Sequence, residues 1–361
     1  QTFQTLGAST DVRFDLNTSS SIGGTLVSRA LTISYDAAVK SYTVSFPGTS
    51  KTFMPGDIQT PVTAGETRYK KTGSSGNDYL TLVTTPYSAN TSNKYVGLGY
   101  FQQNTVASST QSNSFDAFVY GFPTPNGAVP RSGTGKYATD VFGFATFPGH
   151  QPSSFVGRGA FTTDFGTGEF LTQTSVTETN LVTGSSVVGG GLEVSGSGRL
   201  ATDGSFSGSA LYGGQNGRIA GTLSGKFFGP GAEELGASFS GSTAAGATVT
   251  GAITAQRDTS LPNVNLTMAN LVAAQLFYPV NAHLTVLYHP STGAIHSAST
   301  YQVVSQFNYK GGGAFDYSPG LSNLAGGAFT EAMKVTAPDA NFIRYQTSFG
   351  GTPVTLDLYK P

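Results

Sequence analysis

The middle third of the chain contains eight short segments in which apolar and polar residues alternate, each separated from the next by turn residues. They cover residues 136–147, 155–164, 168–175, 189–200, 204–212, 216–228, 234–242 and 247–256. In the sixth segment the odd positions hold Ile219, Gly221, Leu223, Gly225 and Phe227. This period of two is typical of a strand with one apolar face, and the glycines permit tight curvature. Eight such antiparallel strands predict a small closed barrel.

Composition places the chain among extracellular all-β proteins. Only 11% of its 361 residues are charged, which is less than half the usual share, and 48 are glycine. The length predicts two or three domains. The net charge is -1 and no basic cluster extends beyond Lys70–Lys71, which argues against nucleic-acid binding because polyanions need basic patches. Helix content should be low, since only segments 268–276 and 329–334 have helical spacing.

Two absences narrow the chemistry and the cellular location. The chain has no cysteine, which excludes disulfides, thiolate metal sites and cysteine nucleophiles, and the lipidated first cysteine of a mature lipoprotein is also missing from the sequence. It has no apolar run of about 18 residues, and no basic and apolar leader opens the chain at Gln1–Leu6. We therefore expect a soluble mature product without its signal peptide, either numbered from after a lipidated cysteine or released from the cell.

The most characteristic stretch covers residues 225–241. An alternating strand ends in Phe227–Phe228, a Gly-Pro-Gly break follows, and an acidic turn at Glu233–Glu234 leads into a second alternating strand. Upstream, residues 157–168 contain an Asp-Phe-Gly turn, and residues 204–208 read Gly-Ser-Phe-Ser-Gly. Together these motifs resemble the barrel of the transferrin-binding protein B family. These bacterial surface and secreted solute-binding proteins also include haemophilin-like haem binders and factor H-binding protein.

The resemblance covers residues 130–257 well and the rest of the chain loosely. In that family a handle domain of twisted strands precedes each barrel, and larger members contain two handle–barrel lobes. The resemblance therefore implies an all-β fold with three parts. These are an antiparallel N-terminal handle-like β domain at 1–130, an eight-stranded up-and-down β-barrel at 131–258 and a second handle-like β domain at 259–361.

The two flanks of the barrel share short sequence pairs in the same order, which indicates an internal duplication. The pairs are Leu31–Tyr35 with Leu284–Tyr288, Tyr42–Val44 with Tyr301–Val303, Arg68–Tyr69 with Arg344–Tyr345, Leu80–Leu82 with Val354–Leu356, and Pro86 with Pro361. The first copy continues into a strand at residues 94–101, whereas the second copy stops, so the last handle is apparently incomplete. We favour a processed or truncated piece of a longer protein. The alternative is that another molecule completes an open sheet edge, because unpaired strand edges are adhesive.

Histidine and tyrosine side chains are the weak candidates for ligand binding. His283, His289 and His296 lie close together in the sequence, which permits a metal or haem site. Their spacing matches no compact ligand motif, and no Asp or Glu lies between them, so surface histidines in a hairpin are the favoured interpretation. No cofactor is required by the sequence. If haem is a ligand, its other candidate ligands are Tyr69, Met54 and His150.

No pattern in the sequence is typical of an enzyme. Glu233–Glu234 falls in the structural turn of the resembled family, so we interpret both residues as capping or solvent-facing rather than catalytic. The glycine runs at 189–191 and 311–313 lack the lysine and hydroxyl residue of a phosphate-binding loop. No serine lies in a nucleophile elbow between a strand and a helix. We therefore expect neither a catalytic nor a metal site.

Aromatic residues and loops are the expected binding elements. The chain has 17 tyrosines and 25 phenylalanines, and most must fill barrel cores. Those in turns are candidates for an exposed binding surface, with loop packing the favoured interpretation for each: Tyr87, Phe122, Phe147, Phe307, Tyr309 and Tyr317. Ligand specificity is expected in loops, because loops on a rigid scaffold carry most binding residues. The loops are 47–61, 86–93, 103–114, 122–135 and 306–326.

These features predict an extracellular or outer-membrane-surface binding protein of a Gram-negative bacterium. From the resemblance we expect capture of a nutrient, either an iron source, haem, another scarce cofactor or a carrier protein, for transfer to a TonB-dependent receptor. The alternative is a structural surface-layer, adhesive or filament subunit that self-associates by β-strand addition at an open sheet edge. The sequence does not identify the ligand, because one fold serves unrelated partners.

Overall fold

The structure is a computed structural model. It describes residues 1–359 except for 75, 88–91, 268–270, 278–279, 305, 312–313, 319–326, 340–341 and 350. The described residues contain no α-helix and three 3-10 turns, Pro55–Asp57, Asn126–Ala128 and Glu331–Met333. The all-β fold class and the low helix content are confirmed.

The two segments with helical spacing are not α-helices where the structure describes them. Residues 268–270 lie outside the described part, and Gln275–Phe277 is a strand that pairs antiparallel with residues 307–309. Residues 331–333 form a single 3-10 turn. Pairing with a neighbouring strand therefore outweighs weak helical periodicity over so few residues.

The chain divides into two compact units, Gln1–Leu261 and Pro262–Pro361. The first unit contains a handle of two sheets and a closed barrel, and the second contains three smaller sheets. All the sheets are antiparallel. The predicted domain boundaries near residues 130 and 258 stay predictions.

The handle of the first unit is built from two sheets around one core. Its strands are β1 (Gln4–Asp15), β2 (Ser20–Val27), β3 (Thr32–Asp36), β4 (Ser41–Phe46), β5 (Thr49–Phe53), β6 (Glu66–Thr72), β7 (Gly76–Val83), β8 (Val96–Ala107) and β9 (Thr110–Gly121). The larger sheet has the order β2-β1-β9-β8-β7-β6, and the smaller has the order β3-β4-β5. Buried residues of both sheets meet in the handle core, among them Ile33, Val44, Phe53, Leu80 and Phe118.

The predicted loop at residues 103–114 is instead the outer part of a long hairpin. β8 and β9 pair with each other as far as Ala107 and Thr110, which leaves only Ser108 and Ser109 in the turn. The same residues are paired on both sides, because β8 also pairs with β7 and β9 with β1. The polar composition that indicated a loop reflects strands with one solvent-facing side.

The barrel follows the handle and closes as predicted. Its strands are β10 (Thr134–Thr146), β11 (Ser153–Asp164), β12 (Glu169–Asn180), β13 (Ser186–Leu200), β14 (Ser205–Gly214), β15 (Gly217–Phe228), β16 (Glu234–Ser242) and β17 (Thr248–Arg257). They pair in chain order, and β17 pairs back onto β10. Closure leaves no free sheet edge in this part of the chain.

The period of two in β15 places one face of the strand inside the barrel. Ile219, Leu223 and Phe227 are buried in the barrel core. Gly225 lies on the same face, and a Cβ atom there would lie 2.2 Å from the Phe206 ring. The glycine therefore makes room for an aromatic side chain of the preceding strand, β14, in agreement with the predicted mixture of small and large residues.

The second unit contains nine strands in the described residues. They are β18 (Gln275–Phe277), β19 (Val280–Tyr288), β20 (Ile295–Val304), β21 (Gln306–Gly311), β22 (Ala314–Ser318), β23 (Gly327–Phe329), β24 (Lys334–Val335), β25 (Phe342–Phe349) and β26 (Thr352–Tyr359). Their sheets have the orders β18-β21-β22-β23, β19-β20 and β24-β25-β26. The apolar core described in this unit includes Phe307, Phe315, Phe329 and Tyr345.

The strands of the second unit follow the same order as those of the handle. The matching strands differ by one hairpin from those paired in the repeat inferred from sequence. In the handle, the β1–β2 hairpin is followed by β3-β4-β5, a 3-10 turn and the β6–β7 hairpin. In the second unit, the β19–β20 hairpin is followed by β21-β22-β23, a 3-10 turn and the β25–β26 hairpin. Residues 284–288 in β19 therefore correspond to β1. The predicted correspondence with Leu31–Tyr35 is wrong, because most of that segment lies in β3, which has the place of β21 in this order.

The later pairs of the repeat agree better with the structure. Phe53 and Phe329 are both buried directly before a 3-10 turn, and their rings lie 5.9 Å from Tyr69 and 6.1 Å from Tyr345 respectively. The tyrosines therefore correspond, as predicted. In the strand register Tyr69 lies opposite Leu80, and Tyr345 lies opposite Leu356. Leu80 therefore corresponds to Leu356, whereas the sequence repeat matched it with Val354, two residues earlier.

Candidate binding site between the handle and the barrel

The handle sheet packs against the outer surface of the barrel within the first unit, and we call this contact the junction. Its apolar core includes Phe115, Phe142 and Phe228, all buried. Tyr100 stacks on Phe142 with ring centroids 4.7 Å apart, and Phe115 meets Phe144 edge-on at 3.7 Å. Each aromatic pair of this kind stabilises by about 0.5–1.5 kcal/mol beyond its buried area. The junction is therefore a second core that holds the handle on the barrel.

The buried carboxylate of Glu234 links the barrel to the handle at the junction. Glu234 begins β16, is only 4% exposed, and accepts hydrogen bonds from three backbone N–H groups at the start of β8. The donors are Lys94 at 2.8 Å, Tyr95 at 2.9 Å and Val96 at 3.0 Å. The solvent-facing interpretation is therefore wrong for Glu234. Its capping role is real, but the capped amides lie in the handle, more than a hundred residues away in sequence.

The Gly-Pro-Gly break that precedes Glu234 is shaped by the same contact. Gly229 has φ +87°, and a Cβ atom there would lie 2.6 Å from the Tyr95 ring, so a larger residue would be strained and would clash. Glu233 stays local and accepts the N–H of Gly231 at 2.8 Å. The motif thus serves both the turn and the approach of the handle.

A half-open cavity of about 290 Å³ borders the junction, and we call it the junction pocket. Its inner walls are apolar, with Val12 and Phe14 from β1, Phe115 from β9 and Phe144 from β10. Polar side chains from the β8–β9 hairpin line another side, namely Gln102, Gln111 and Asn113. At the mouth, Leu16, Leu181 and Val182 remain 42%, 50% and 48% exposed. The pocket therefore combines an apolar interior with amide groups and an apolar mouth.

Hydrogen bonds hold both sides of the mouth in place. The Asn180 side-chain oxygen accepts the N–H groups of Val182 at 2.9 Å and Thr183 at 3.0 Å, which fixes the turn after β12. On the handle side, the N–H of Leu16 donates to the carbonyl of Ser109 at 2.8 Å. The exposed apolar side chains therefore project from turns with defined geometry.

The predicted histidine site is brought together only in part. His289 and His296 are exposed at the β19–β20 turn, with ring centroids 5.0 Å apart. His283 lies on β19 opposite Tyr301 in the strand register, and its side chain lies outside the described part. No group of three His, Cys, Asp or Glu side chains suited to a metal ion occurs among the described residues. The expectation of no metal site and the weak candidacy of these histidines for ligand binding, haem included, both stay predictions.

The other candidate haem ligands are dispersed. Tyr69 is buried in the handle core against Phe53, and this burial raises the pKa of its hydroxyl to about 12. Met54 is exposed directly before the first 3-10 turn, and His150 is exposed next to the start of β11. The structure gives Tyr69 a packing role, and ligand binding by any of the three stays a prediction.

The turn-borne aromatic residues divide into two groups. Phe147 is buried, as the loop-packing interpretation holds. Phe307 and Tyr309 are buried and Tyr317 is partly buried in the core of the second unit, but they lie in strands β21 and β22, so their predicted place in a loop is wrong. Tyr87 and Phe122 are exposed by 40% and 50%. Tyr87 nevertheless donates a hydrogen bond to Glu66 at 3.0 Å, and its ring lies 5.3 Å from that of Phe142, so it also supports the junction.

The sequence reasoning missed the residues at the mouth of the junction pocket. Leu181 and Val182 form an apolar pair inside a polar turn, and Leu16 stands between Asp15 and Asn17 in the first hairpin turn. Apolar residues in polar turns were the available signal, since an exposed apolar patch often marks an interaction site. Their proximity was not readable, because it depends on how the handle packs on the barrel.

Asp116 is a buried carboxylate in the handle. Burial raises its pKa to about 6, although hydrogen bonding from Ser9 and the charge of Arg29 oppose the shift. Arg29 Nε lies 3.4 Å from an Asp116 oxygen, and Arg29 also pairs with Asp11 at 2.5 Å. The native state therefore holds the proton on Asp116 more tightly than the unfolded chain does.

Because of Asp116, we expect the free energy of unfolding to fall by roughly 2–3 kcal/mol as pH rises from about 4 to about 6. In this window the native state binds more protons than the unfolded state, and above it the cost of burying the charge is fully present. Asp116→Asn should remove this pH dependence in urea unfolding, and Asp36→Asn, at an exposed carboxyl that is not among the groups acting on Asp116, should keep it. Equal pH profiles for Asp116→Asn and the parent would contradict the assignment.

No helix in the described residues is long and apolar enough to cross a membrane. The chain matches no protein-family model and no curated protein. Solved structures do match. Transferrin-binding protein B from Haemophilus parasuis Hp5, a double mutant, is 15% identical with a TM-score of 0.41, over 69% of this chain and 45% of that chain. Isotype 1 of the same protein from serogroup B Neisseria meningitidis is 17% identical with a TM-score of 0.38, over 70% and 44%.

The haemoglobin receptor HpuA from Kingella denitrificans is 14% identical with a TM-score of 0.38, over 75% of this chain and 92% of that chain. The chain spans under half the length of the transferrin-binding protein B structures named above. The matched structures include members of the transferrin-binding protein B family, which the barrel motifs resemble.

Proposed function

We propose that this chain is an extracellular or outer-membrane-surface protein of a Gram-negative bacterium that captures a nutrient and passes it to a TonB-dependent receptor. The observation that carries the proposal is the apolar mouth of the junction pocket, formed by Leu16, Leu181 and Val182. Contiguous exposed apolar residues around a concave site are typical of binding surfaces. The buried junction and Glu234 hold this surface rigidly, which lowers the entropic cost of binding.

Within this proposal, a carrier protein suits the junction pocket better than free haem does. The cavity of about 290 Å³ lies at the lower limit of the range of about 300–1,000 Å³ for small-molecule sites. A porphyrin is much larger than a single apolar side chain and carries two carboxylates, and the described residues that line this pocket include no lysine or arginine. A protein partner with a broad surface would gain more binding free energy from this rigid mouth than free haem would.

The test is direct binding of the whole chain to named carriers. Human haemoglobin and transferrin are the first to measure, because they are what the similar proteins' names specify. Interferometry with the immobilised chain should show saturable binding to one of them, with serum albumin as the control protein. Haemin is titrated in parallel, and a Soret shift would assign free haem instead. Failure of all three to bind saturably would contradict nutrient capture from these sources.

A structural role is the second candidate, because two strands of the second unit each have a single partner strand within the described residues. β26 pairs only with β25, whereas its counterpart β7 pairs with both β6 and β8. β19 likewise pairs only with β20, whereas β1 pairs with both β2 and β9. Unpaired strand edges accept strands from other chains. Sedimentation of the whole chain over a range of concentrations should show ordered polymers if this role is correct and a constant monomer mass if it is not.

A further inference from the structure

We infer that the junction pocket is an anchor site that receives one apolar side chain of a protein partner, together with the backbone amides that flank it. This inference rests on the proposed function and specifies how the mouth recognises a carrier protein. Partners of rigid surfaces commonly insert one apolar or aromatic anchor into a desolvated pocket, and such anchors provide most of the binding energy. The pocket has the size, the wall chemistry and the rigidity for this role.

The size fits a side chain. A volume of about 290 Å³ equals the liquid volume of about ten water molecules, which is enough for one large apolar side chain and part of its backbone. The inner walls consist of aliphatic and aromatic groups, namely Val12, Phe14, Phe115 and Phe144. These walls offer close apolar contact and no charged partner.

The polar groups fit a peptide. Gln102, Gln111 and Asn113 present amide donors and acceptors along one side, and the Gln111 amide donates to the Asn113 oxygen at 2.9 Å. A backbone amide needs both kinds of partner, and these three residues supply both. Among the described residues that line the pocket, Asp15 alone is charged, and its carboxylate accepts the N–H of Asn17 at 2.8 Å. Anionic ligands, including fatty-acid carboxylates, are therefore disfavoured.

The pocket is preformed on both sides. Asn180 fixes the turn that bears Val182, and Ser109 fixes Leu16 through backbone hydrogen bonds. An apolar site that is open before binding needs no rearrangement of its own side chains, which reduces the entropic cost of association. Leu16, Leu181 and Val182 would then surround the inserted side chain and exclude water from it.

The test uses small mimics of a side chain with its flanking amides. N-acetyl-L-phenylalaninamide and N-acetyl-L-leucinamide are titrated into the methyl-labelled whole chain and followed by NMR. We expect saturable shifts of the Leu16, Leu181 and Val182 methyls, with a dissociation constant on the order of 1 mM for ligands of this size. N-acetylglycinamide, which lacks a side chain, should give no saturable shift. 1-Decanol is the probe for a free lipid.

Two variants on opposite sides of the mouth localise the effect. The double variant Leu181→Asp/Val182→Asp and the separate variant Leu16→Asp should each weaken binding of N-acetyl-L-phenylalaninamide at least tenfold. Val39→Asp, at a position 49% exposed and not lining the pocket, should leave it unchanged. Methyl spectra confirm that each variant is folded, and two separate sites keep the test valid if one variant unfolds.

Several results would overturn the inference. These are no saturable shift with either side-chain mimic, equal shifts with N-acetylglycinamide, saturation by 1-decanol alone, or unchanged binding in both pocket variants. The titration uses no carrier protein, so its outcome is separate from that of the haemoglobin and transferrin measurements. An anchor site with no binding to those carriers would leave the pocket intact and redirect the search for the partner.

Discussion

Replacement of Glu234 by alanine should lower the free energy of unfolding by about 3–5 kcal/mol. The substitution removes the acceptor for three backbone N–H groups, those of Lys94, Tyr95 and Val96. Val96 is buried, and a buried donor left without a partner costs about 1–3 kcal/mol. The other two hydrogen bonds are partly buried, and each contributes about 1 kcal/mol. A loss of this size lowers the melting temperature by roughly 10 °C in a unit of this length. Thermal unfolding followed by circular dichroism measures it.

The neighbouring carboxylate supplies the matched control. Glu233→Ala removes a single hydrogen bond within the local turn, from Gly231, and should cost about 1 kcal/mol. Glu234→Gln should fall between the two, because one of its terminal atoms becomes a donor facing backbone donors. Hydrogen exchange at residues 94–96 should accelerate in Glu234→Ala and not in Glu233→Ala. Equal destabilisation by the two alanine variants would show that Glu234 does not fasten the handle.

The barrel is the part of the fold that the sequence predicts best. Each predicted strand in it overlaps an observed one, and the segment 216–228 nearly coincides with β15 at Gly217–Phe228. Every barrel strand pairs with its neighbours in the chain, apart from the closing pair β10–β17. The alternation and the intervening turns therefore contain most of the necessary information, because hairpin pairing is local.

The handle is predicted less well, because its central pairings are not local. β1 lies between β2 and β9 although about a hundred residues separate β1 from β9 in the chain. Nothing in the local pattern of residues 103–114 distinguishes a paired hairpin tip from a loop. The repeat was assigned from short similar sequences, which do not contain the sheet order. It therefore matched Leu284–Tyr288 with the wrong hairpin of the handle. Sheet order emerges only when side chains of distant strands pack together.

The junction shows the same limit at the level of single residues. The sequence identifies Glu233–Glu234 as part of a turn, but not that one side chain binds the handle and the other binds its own turn. Leu16 and Leu181 come from separate domains of the predicted fold and meet at one pocket. Such sites depend on the relative placement of two cores within one unit, which single-strand patterns do not encode.

The adjacent phenylalanines of the family motif should each stabilise a different core, and each alanine variant should cost about 3–5 kcal/mol. Phe227 is buried inside the barrel, with its ring 5.5 Å from that of Phe206 and 5.6 Å from that of Phe165. Phe228 points the other way and is buried in the junction core. Removal of either ring leaves a cavity in a packed core, which accounts for the size of the effect.

Hydrogen exchange should distinguish the two variants, because losses of unfolding free energy of similar size arise in different parts of the fold. Phe227→Ala should deprotect amides of β14 and β15 around the Phe206 ring, whereas Phe228→Ala should deprotect those of β8 and β9 at the junction. Leu171→Ala, on the exposed outer surface of the barrel, should cost less than about 1 kcal/mol and serves as the control. If both phenylalanine variants deprotected the same strands, the two cores would be one cooperative unit and the junction would not be a separate contact. If Phe228→Ala cost no more than Leu171→Ala, the handle would not depend on the barrel motif for its attachment.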